Sequence, residues 1–465
     1  MYFIIKMFTL FLAFFTLAWY NKIVVYQDSL LQKRGNGMRK RIKIGVVGAG
    51  AFSGDFVRLF KLHPDVAEVA LADLDPEKLR QKAALLGITR TYGSLDEMLK
   101  QKDIDCIGIF TQRHLHGPMV LQALDAGKHV YSAVPIACTI EEIEKIIEKV
   151  KETGLTYMMA ETCYYYPDAI FCRERYKKGD FGKFVYGEAQ YYHDISEMYG
   201  DFKRSGGEHW QRAAGIPPMF YPTHSISMIF SAINEYATKV SCMGLRDDFH
   251  TDEIYGEDKN FWQNPFSNQT AIFRMSGGGV ARINEFRRAG VNKPSSYVTC
   301  FYGDYGSYEH SITQHIFQRG ISAVKAGLDK KTHIEYLDEL LNCDDYIADK
   351  KAGTIDWTYT PTTIRYIKGF CPIQDKSRLP KIYRDEPAYS HFNSHPFLVD
   401  DFVRAVVDEK LPPNNAWDAA RYMIPGLIAH ESSLRDGELL DVPDFGAAPE
   451  SWAKLEYIKK DYYEE

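Results

Sequence analysis

The sequence predicts an α/β protein that opens on a doubly wound, mainly parallel sheet. Three observations carry this reading: strand-like runs alternating with amphipathic helices between Arg41 and Thr162, a glycine-rich turn joining the first strand to the first helix, and an aspartate closing the second strand. A length of 465 residues, 45% hydrophobic and 25% charged, predicts a globular chain of two or more domains with a large core.

The first strand is RIKIGVVGAG, a β-branched run ending in glycines, and FSGDFVRLFKLHP then carries Phe52, Phe56, Leu59 and Phe60 at helical spacing. The turn reads Gly48-x-Gly50-x-x-Ser53, a dinucleotide fingerprint with serine at the third glycine position. Gly48 permits the tight turn, Gly50 lets backbone amides approach a pyrophosphate, and Ser53 is small enough for helix–sheet packing. The helix N-terminus offers its positive end to the phosphates. The second strand, in VAEVALADLDPEK, ends at Asp73, placed to accept hydrogen bonds from an adenosine ribose; Asp75 before Pro76 suits a helix cap. A carboxylate there repels a 2′-phosphate, so NAD is expected over NADP, with Lys78 and Arg80 keeping NADP as the lesser alternative. Three loops at strand C-terminal ends, Phe110 to Arg113, Ser132 to Pro135 and Glu161 to Tyr165, are expected to line one crevice.

Composition excludes other classes. A net charge of −6 with interspersed signs leaves no basic stripe for nucleic acid, and 31 tyrosines and 27 phenylalanines suit sugar rings as well as a core. The eight cysteines lie without CxxC or framework spacing, so reduced thiols and a cytoplasmic location are expected. His114 and His116 fall at i and i+2 with no cluster to complete a site, so no metal is expected. FTLFLAFFTLAWY, residues 8–20, is apolar but shorter than the ~20 residues of a spanning helix and lacks a small-residue cleavage pattern. Residues 1–37 therefore read as an artefactual extension or a weak N-terminal membrane anchor, with Met38 opening the working domain.

From Lys43 to about Leu440 the chain resembles the Gfo/Idh/MocA oxidoreductases, the family of glucose-fructose oxidoreductase and inositol dehydrogenase. The resemblance rests on the GAG turn, Asp73, the run TQRHLHGPMVLQALDAGKHVY with its following proline, and the closing HPFLVDDFVRAVVDEKLPPNNAWDAARYMIPGLIAHESSLRDG. It implies a Rossmann domain over 38–160 and an α/β domain with an open, mostly antiparallel sheet over 161–385, followed by C-terminal helices, 386–465, that pack back on both. Strands of that second sheet are expected in VYGEAQYYHD, QTAIFRMSGGGVARINEF and SYVTCFYGDYGSYEH. The polar stretches 239–268 and 327–389 read as irregular insertions, with KKTHIEYLDELLNCDDYIADKKAG a solvated surface helix. The implied NAD-contacting set is Gly48, Gly50, Ala51, Phe52, Asp73, Thr111, His116, Ala133, Val134 and Thr162. A carbohydrate substrate and a homo-oligomer are implied with it.

Two motifs depart from the family. Its Glu-Lys-Pro is Ala133-Val134-Pro135, and its Asp-x-x-x-His keeps His224 but has Phe220 at the aspartate position. With MMAETCYYYP, YYHD and the Tyr221-Pro222-Thr223-His224 run, these departures resemble the NAD-dependent α-N-acetylgalactosaminidase branch. Thr162, Tyr166-Pro167 and a shorter spacing from Trp210 to His224 differ from that branch.

Two chemistries follow from the residues. A dehydrogenase needs a base for the hydroxyl proton, and without a lysine at position 134 that base is His224, with Tyr221 sharing the relay. A redox-cycling glycosidase oxidises C3 transiently and needs a second base for the C2 proton, drawn from Tyr164, Tyr165, Tyr191 and Tyr221; it eliminates the C1 substituent and ends with no net redox. Tyr191, Arg212, Tyr221 and His224 form the expected substrate set, with Arg212 as a clamp. The reading is an NAD-dependent oxidoreductase acting on a carbohydrate or polyol. Its alternatives are the glycosidase and a non-catalytic nucleotide- and sugar-binding regulator.

Overall fold

The computed structural model describes residues 40–247, 254–256, 258–289, 295–311, 314–355, 369–385, 391–456 and 463. The expected leader, 1–37, and Met38 lie outside the described residues. Among those described, no helix is long and apolar enough to cross a membrane.

Six strands, β1 (Ile42–Val47), β2 (Val66–Ala72), β3 (Thr91–Tyr92), β4 (Cys106–Ile109), β5 (His129–Ser132) and β6 (Tyr157–Met159), form one sheet in the order β3-β2-β1-β4-β5-β6, with every pairing parallel. The order reverses at β1, which opens a crevice between the C-terminal ends of β1 and β4. The helices that wind the sheet carry the signals read in the sequence. Asp75 caps α2 (Pro76–Leu86), after α1 (Ser53–Leu62), by accepting from the amides of Glu77 and Lys78, and left-handed Gly87 ends it. After α3 (His116–Asp125), α4 (Ile140–Thr153) starts at Thr139, whose hydroxyl accepts from the Glu142 amide. It buries Ile143, Ile146, Ile147 and Val150 on one face, at about 2 kcal/mol per aliphatic side chain.

The second sheet has nine strands in the order β14-β13-β12-β11-β7-β10-β9-β8-β15. These are β7 (Phe184–Tyr192), β8 (Ala237–Arg246), β9 (Phe266–Met275), β10 (Val280–Phe286), β11 (Ser295–Gly303), β12 (Gly306–Ser311), β13 (Gln314–Arg319), β14 (His333–Tyr336) and β15 (Leu440–Asp441). All pairings are antiparallel except β7 with β10. Helices α5 (Pro167–Lys177) and α6 (Thr223–Ile233) pack together, and α6 lies on β7 so closely that a Cβ at Gly187 would stand 3.1 Å from Ile229. Two closing helices tie the halves together. α7 (Ser394–Val407) packs on α1, and α8 (Ala416–Leu434) packs on β8 and on α4.

Several expectations are corrected here. Residues 239–268 are not an irregular insertion throughout: they include most of β8, which buries Val240 and Cys242 and pairs with β9 on one edge and β15 on the other. The segment read as one solvated helix, 330–353, is β14, a short helix Asp338–Leu341 and a helix Asp344–Ala352, with Leu337, Leu341, Cys343 and Tyr346 buried. The closing segment supplies a strand as well as helices. All eight cysteines are free and buried, yet Cys343 and Cys371 bring their sulfurs to 3.2 Å.

Candidate functional site

The nucleotide cradle is built by the β1–α1 turn. Gly48 has φ +103°, and a Cβ there would lie 2.2 Å from the Phe110 carbonyl oxygen, so only glycine fits. A Cβ on Gly50 would meet nothing within 4 Å, which leaves open space in front of the turn for a ligand's phosphates. Ser53 is buried and its hydroxyl donates to the Gly50 carbonyl, 3.0 Å. The Asp73 carboxylate accepts from the Ala49 amide at 2.7 Å and from the Asp75 amide at 2.9 Å. It is thereby fixed beside the turn, and each oxygen keeps a lone pair for a ribose hydroxyl. Arg80 pairs with Glu77, and the Lys78 ammonium stands 4.0 Å from Asp75, so both cations proposed for a 2′-phosphate already have carboxylate neighbours. These residues fit a dinucleotide, and NAD rather than NADP.

The loops after β4 and β5 line a cavity of about 260 Å3 together with a second-domain segment. Its walls include Phe52, Thr111, Arg113, Ala133, Val134, Arg212 and Tyr221. His116 holds these two loops together: one ring nitrogen lies 2.8 Å from the Pro135 carbonyl and the other 3.2 Å from the Thr111 carbonyl. Burial lowers its pKa ahead of the carbonyl contacts that raise it, so it is a neutral latch between the loops, and it lines the cavity with them.

Beside this cavity stands a buried carboxylate–imidazole pair. His224 opens α6, and its Nδ1 lies 2.7 Å from Glu161 Oε1, which also accepts from the Cys163 amide at 2.9 Å. With Oε1 already an acceptor, the shared proton belongs on Nδ1, and Nε2 is left to accept one. The His224 ring meets the Tyr191 and Tyr221 rings edge-on at 5.0 and 5.1 Å. Two guanidiniums face those phenols: Arg113 at 3.9 Å over Tyr221, and Arg287 at 5.0 Å over Tyr191. Burial pushes both phenols up, and the arginines oppose it. The Tyr191 hydroxyl lies 2.8 Å from His193 Nδ1, and burial with Arg287 and Arg113 drives His193 down to about 3. Behind them, Glu285 pairs with Arg287 and is raised by burial to about 7.

Glu161, Cys163 and His224 offer ligand atoms within 4.8 Å of one another. The cluster is a poor cation site all the same. Its shortest contact is a hydrogen bond, and burial and then Glu161 push the Cys163 thiol well up, away from the thiolate a metal needs.

Most expected residues meet here, and a few do not. Gly48, Gly50, Asp73, Thr111, Ala133 and Val134 surround the crevice, and exposed Ala51 and Phe52 lie at its mouth. Tyr191, Arg212, Tyr221 and His224 gather opposite. Tyr164 is displaced: its ring lies under Arg173 at 3.9 Å and lines a separate cavity with Asn234, Asp418 and Tyr422, because the one-turn helix Thr162–Tyr165 turns it away from His224. Thr162 is buried, its hydroxyl 4.0 Å from the Cys163 sulfur, and is absent from the cavity wall. Arg113 and Glu161 were expected only as ends of two loops lining the crevice, without a role of their own, and His193 and Arg287 were not among the expected site residues.

Comparison with known proteins agrees with this geometry. Residues 42–161 match the oxidoreductase family described as having an NAD-binding Rossmann fold, Gfo/Idh/MocA. An alpha-N-acetylgalactosaminidase of Bacteroides fragilis is 33% identical over 141 residues, 30% of this chain and 33% of that protein. A glycosyl hydrolase family 109 protein of Shewanella pealeana is 26% identical over 226 residues, 44% of this chain and 48% of that protein, so the chain spans about half the length of the curated relatives it matches. Among solved structures, a levoglucosan dehydrogenase with NADH and L-sorbose superposes with a TM-score of 0.65 at 16% identity, over 87% of this chain and 100% of that one. A myo-inositol 2-dehydrogenase of Lactobacillus plantarum gives 0.60 at 16% identity, over 87% and 100%. These last two similarities concern the fold.

Proposed function

We propose that the chain, whose residues 42–161 match the Gfo/Idh/MocA oxidoreductase family, oxidises a hydroxyl group of a carbohydrate or polyol, with His224 as the general base. The observation that carries this is the buried Glu161–His224 pair beside a cavity that Val134 walls without an ammonium group. When bound, NAD supplies the hydride acceptor. Glu161 fixes the imidazole with Nδ1 protonated, Nε2 takes the hydroxyl proton, and the carboxylate stabilises the imidazolium that results. Tyr221, held protonated by burial, can donate a hydrogen bond to a substrate oxygen.

The family 109 relatives favour a second reading, redox-cycling glycoside cleavage. It requires a base for C2, and the best-placed phenol, Tyr191, has among the described residues only His193 as a proton acceptor, depressed to about 3. Oxidation is therefore the preferred reading. A panel of free sugars, polyols and aryl glycosides separates the two: accumulating NADH supports the oxidoreductase, and glycoside cleavage without net NADH supports the cycling enzyme. His224→Ala is expected to abolish either activity while NAD still binds; turnover near the wild-type level would remove His224 from the mechanism.

The same reading includes self-association through the open sheet face, where Met243, Leu245 and Ile272 on β8 and β9 stay exposed. Eight buried free thiols suit a reducing compartment.

A further inference from the structure

The cavity beside His224 carries a charge pattern that oxidation of a neutral sugar does not call for. Arg113 and Arg212 both line it, and no aspartate or glutamate does. Neither guanidinium has a carboxylate within 4.0 Å among the described residues, whereas neighbouring Arg287 and Arg288 are paired at 2.7 Å with Glu285 and 3.1 Å with Asp247. Both are held in place by aromatic rings: Arg113 at 3.9 Å over Tyr221, and Arg212 at 4.1 Å over Phe261. The Arg212 carbonyl is further fixed by the Trp262 indole N–H, 2.9 Å. Its Nε is buried with no hydrogen-bond partner, a group whose desolvation nothing in the protein offsets.

We propose that the substrate is an anionic sugar, and that Arg113 and Arg212 grip its carboxylate or sulfate oxygens while the oxidised hydroxyl faces His224. This rests on the oxidoreductase reading above. A guanidinium presents paired N–H donors at the spacing of an oxyanion, and two that line one cavity select charge strongly. His114 is brought down to about 4 by burial and then by Arg212, so it stays neutral. Within a chain of net charge −6, a positive cavity concentrates an anionic ligand. The pyrophosphate of a dinucleotide has its own place at the β1–α1 turn, which leaves Arg113, on the loop after β4, and Arg212, from the second domain, to the substrate.

The test uses matched sets of sugars, with glucose, glucuronate and glucose 6-sulfate as one set and galactose, galacturonate and galactose 6-sulfate as another. For the NAD-loaded full chain, the thermal shift on adding each sugar and the initial rate of NADH formation are both measured. The expected result is at least about tenfold tighter apparent binding of an anionic member than of its neutral counterpart, weakening as salt screens the charge. The carboxylate and sulfate arms show which oxyanion is preferred. Arg113→Gln and Arg212→Gln should each erase the preference through apparent affinity, Arg113→Lys should restore part of it, and the dissociation constant of NAD should change less than twofold in all three. Equal binding of neutral and anionic members by the wild type, or a preference that survives both Gln variants, overturns the proposal. Loss of NAD affinity in step with the preference also overturns it, because the arginines would then serve the cofactor. An arginine-dependent thermal shift without NADH formation upholds the charge selection and instead refutes the oxidation reading, so the two failures are distinguishable.

Discussion

Replacing Glu161 by glutamine tests the centre of the mechanism with the least disturbance of shape. The glutamine carbonyl can still accept from the Cys163 amide, which the wild-type carboxylate does at 2.9 Å. That carbonyl stands where Oε1 accepts from both partners, so it also keeps the contact to His224 Nδ1, 2.7 Å in the wild type, and the uncharged NH2 takes the place of the buried, unpartnered Oε2. Both partners are buried, and a charge-assisted hydrogen bond in such a setting is worth about 1.5 to 3 kcal/mol. At about 1.36 kcal/mol per decade, loss of that charge assistance alone slows the reaction roughly 10- to 200-fold. The neutral amide also no longer stabilises the imidazolium that forms when Nε2 accepts the substrate proton. A comparable carboxylate-to-amide exchange behind a catalytic histidine costs about 10^4 in rate. The expected fall in kcat is therefore between about 10^2 and 10^4, with NAD affinity unchanged. NADH formation gives the first quantity and calorimetric titration of NAD the second. A Glu161→Gln enzyme within about threefold of wild type would refute the pairing as the source of the base.

Three further outcomes are expected. Asp73→Ala removes the acceptor held by the Ala49 and Asp75 amides, so NAD should bind about tenfold more weakly or worse and discriminate less from NADP; unchanged affinity and selectivity in a titration would end the ribose assignment. Asp168 is raised by burial to about 6, against a usual carboxylate value near 3.9. A raised carboxyl stabilises the fold fully below its unfolded pKa and loses that contribution as pH climbs, so wild-type stability relative to Asp168→Asn should decline from about pH 4 to about pH 6 in denaturant titrations; a pH-independent difference would exclude this linkage. Oxidation by diamide should join Cys343 to Cys371, seen as loss of two hydrogens and of two alkylatable thiols, and absent in Cys343→Ser. Closing that separation of 28 residues should add about 3 to 4 kcal/mol, and an unchanged melting temperature in the oxidised protein would contradict it.

The first domain was legible because its signals are local. The glycine turn, the Asp75 cap and the apolar stripe of Ile140–Thr153 each lie within a dozen residues and mean the same thing alone as in the folded chain. The second sheet was legible only where alternation was strong. β8 was hidden because its outward positions mix Lys239 and Ser241 with Met243 and Leu245, which blurs the alternation, and its partners come from β9 and from β15, 200 residues away. The site divides in the same way. His224 could be read from its motif, but Glu161 acquires its role from a contact across 63 positions. Arg113 and Arg287 likewise gain meaning only when folding brings them over Tyr221 and Tyr191. Tyr164, Tyr165 and Tyr166 look equivalent in sequence, and one turn of helix sends Tyr164 to the opposite side.

The seating of Ser394–Val407 against Ser53–Leu62 has a consequence during synthesis. Phe402 completes the aromatic layer made by Phe60 and Tyr131, with ring centroids 6.3 and 5.2 Å away, and Phe397 stacks on Tyr165 at 5.1 Å. The nucleotide-binding half leaves the ribosome some 240 residues before its last aromatic wall exists. At roughly 5 to 20 residues per second, that half waits about 12 to 50 s with Phe60 and Tyr131 uncovered, so the nascent chain passes through a period in which it is a natural client for chaperones that bind exposed aromatic surface.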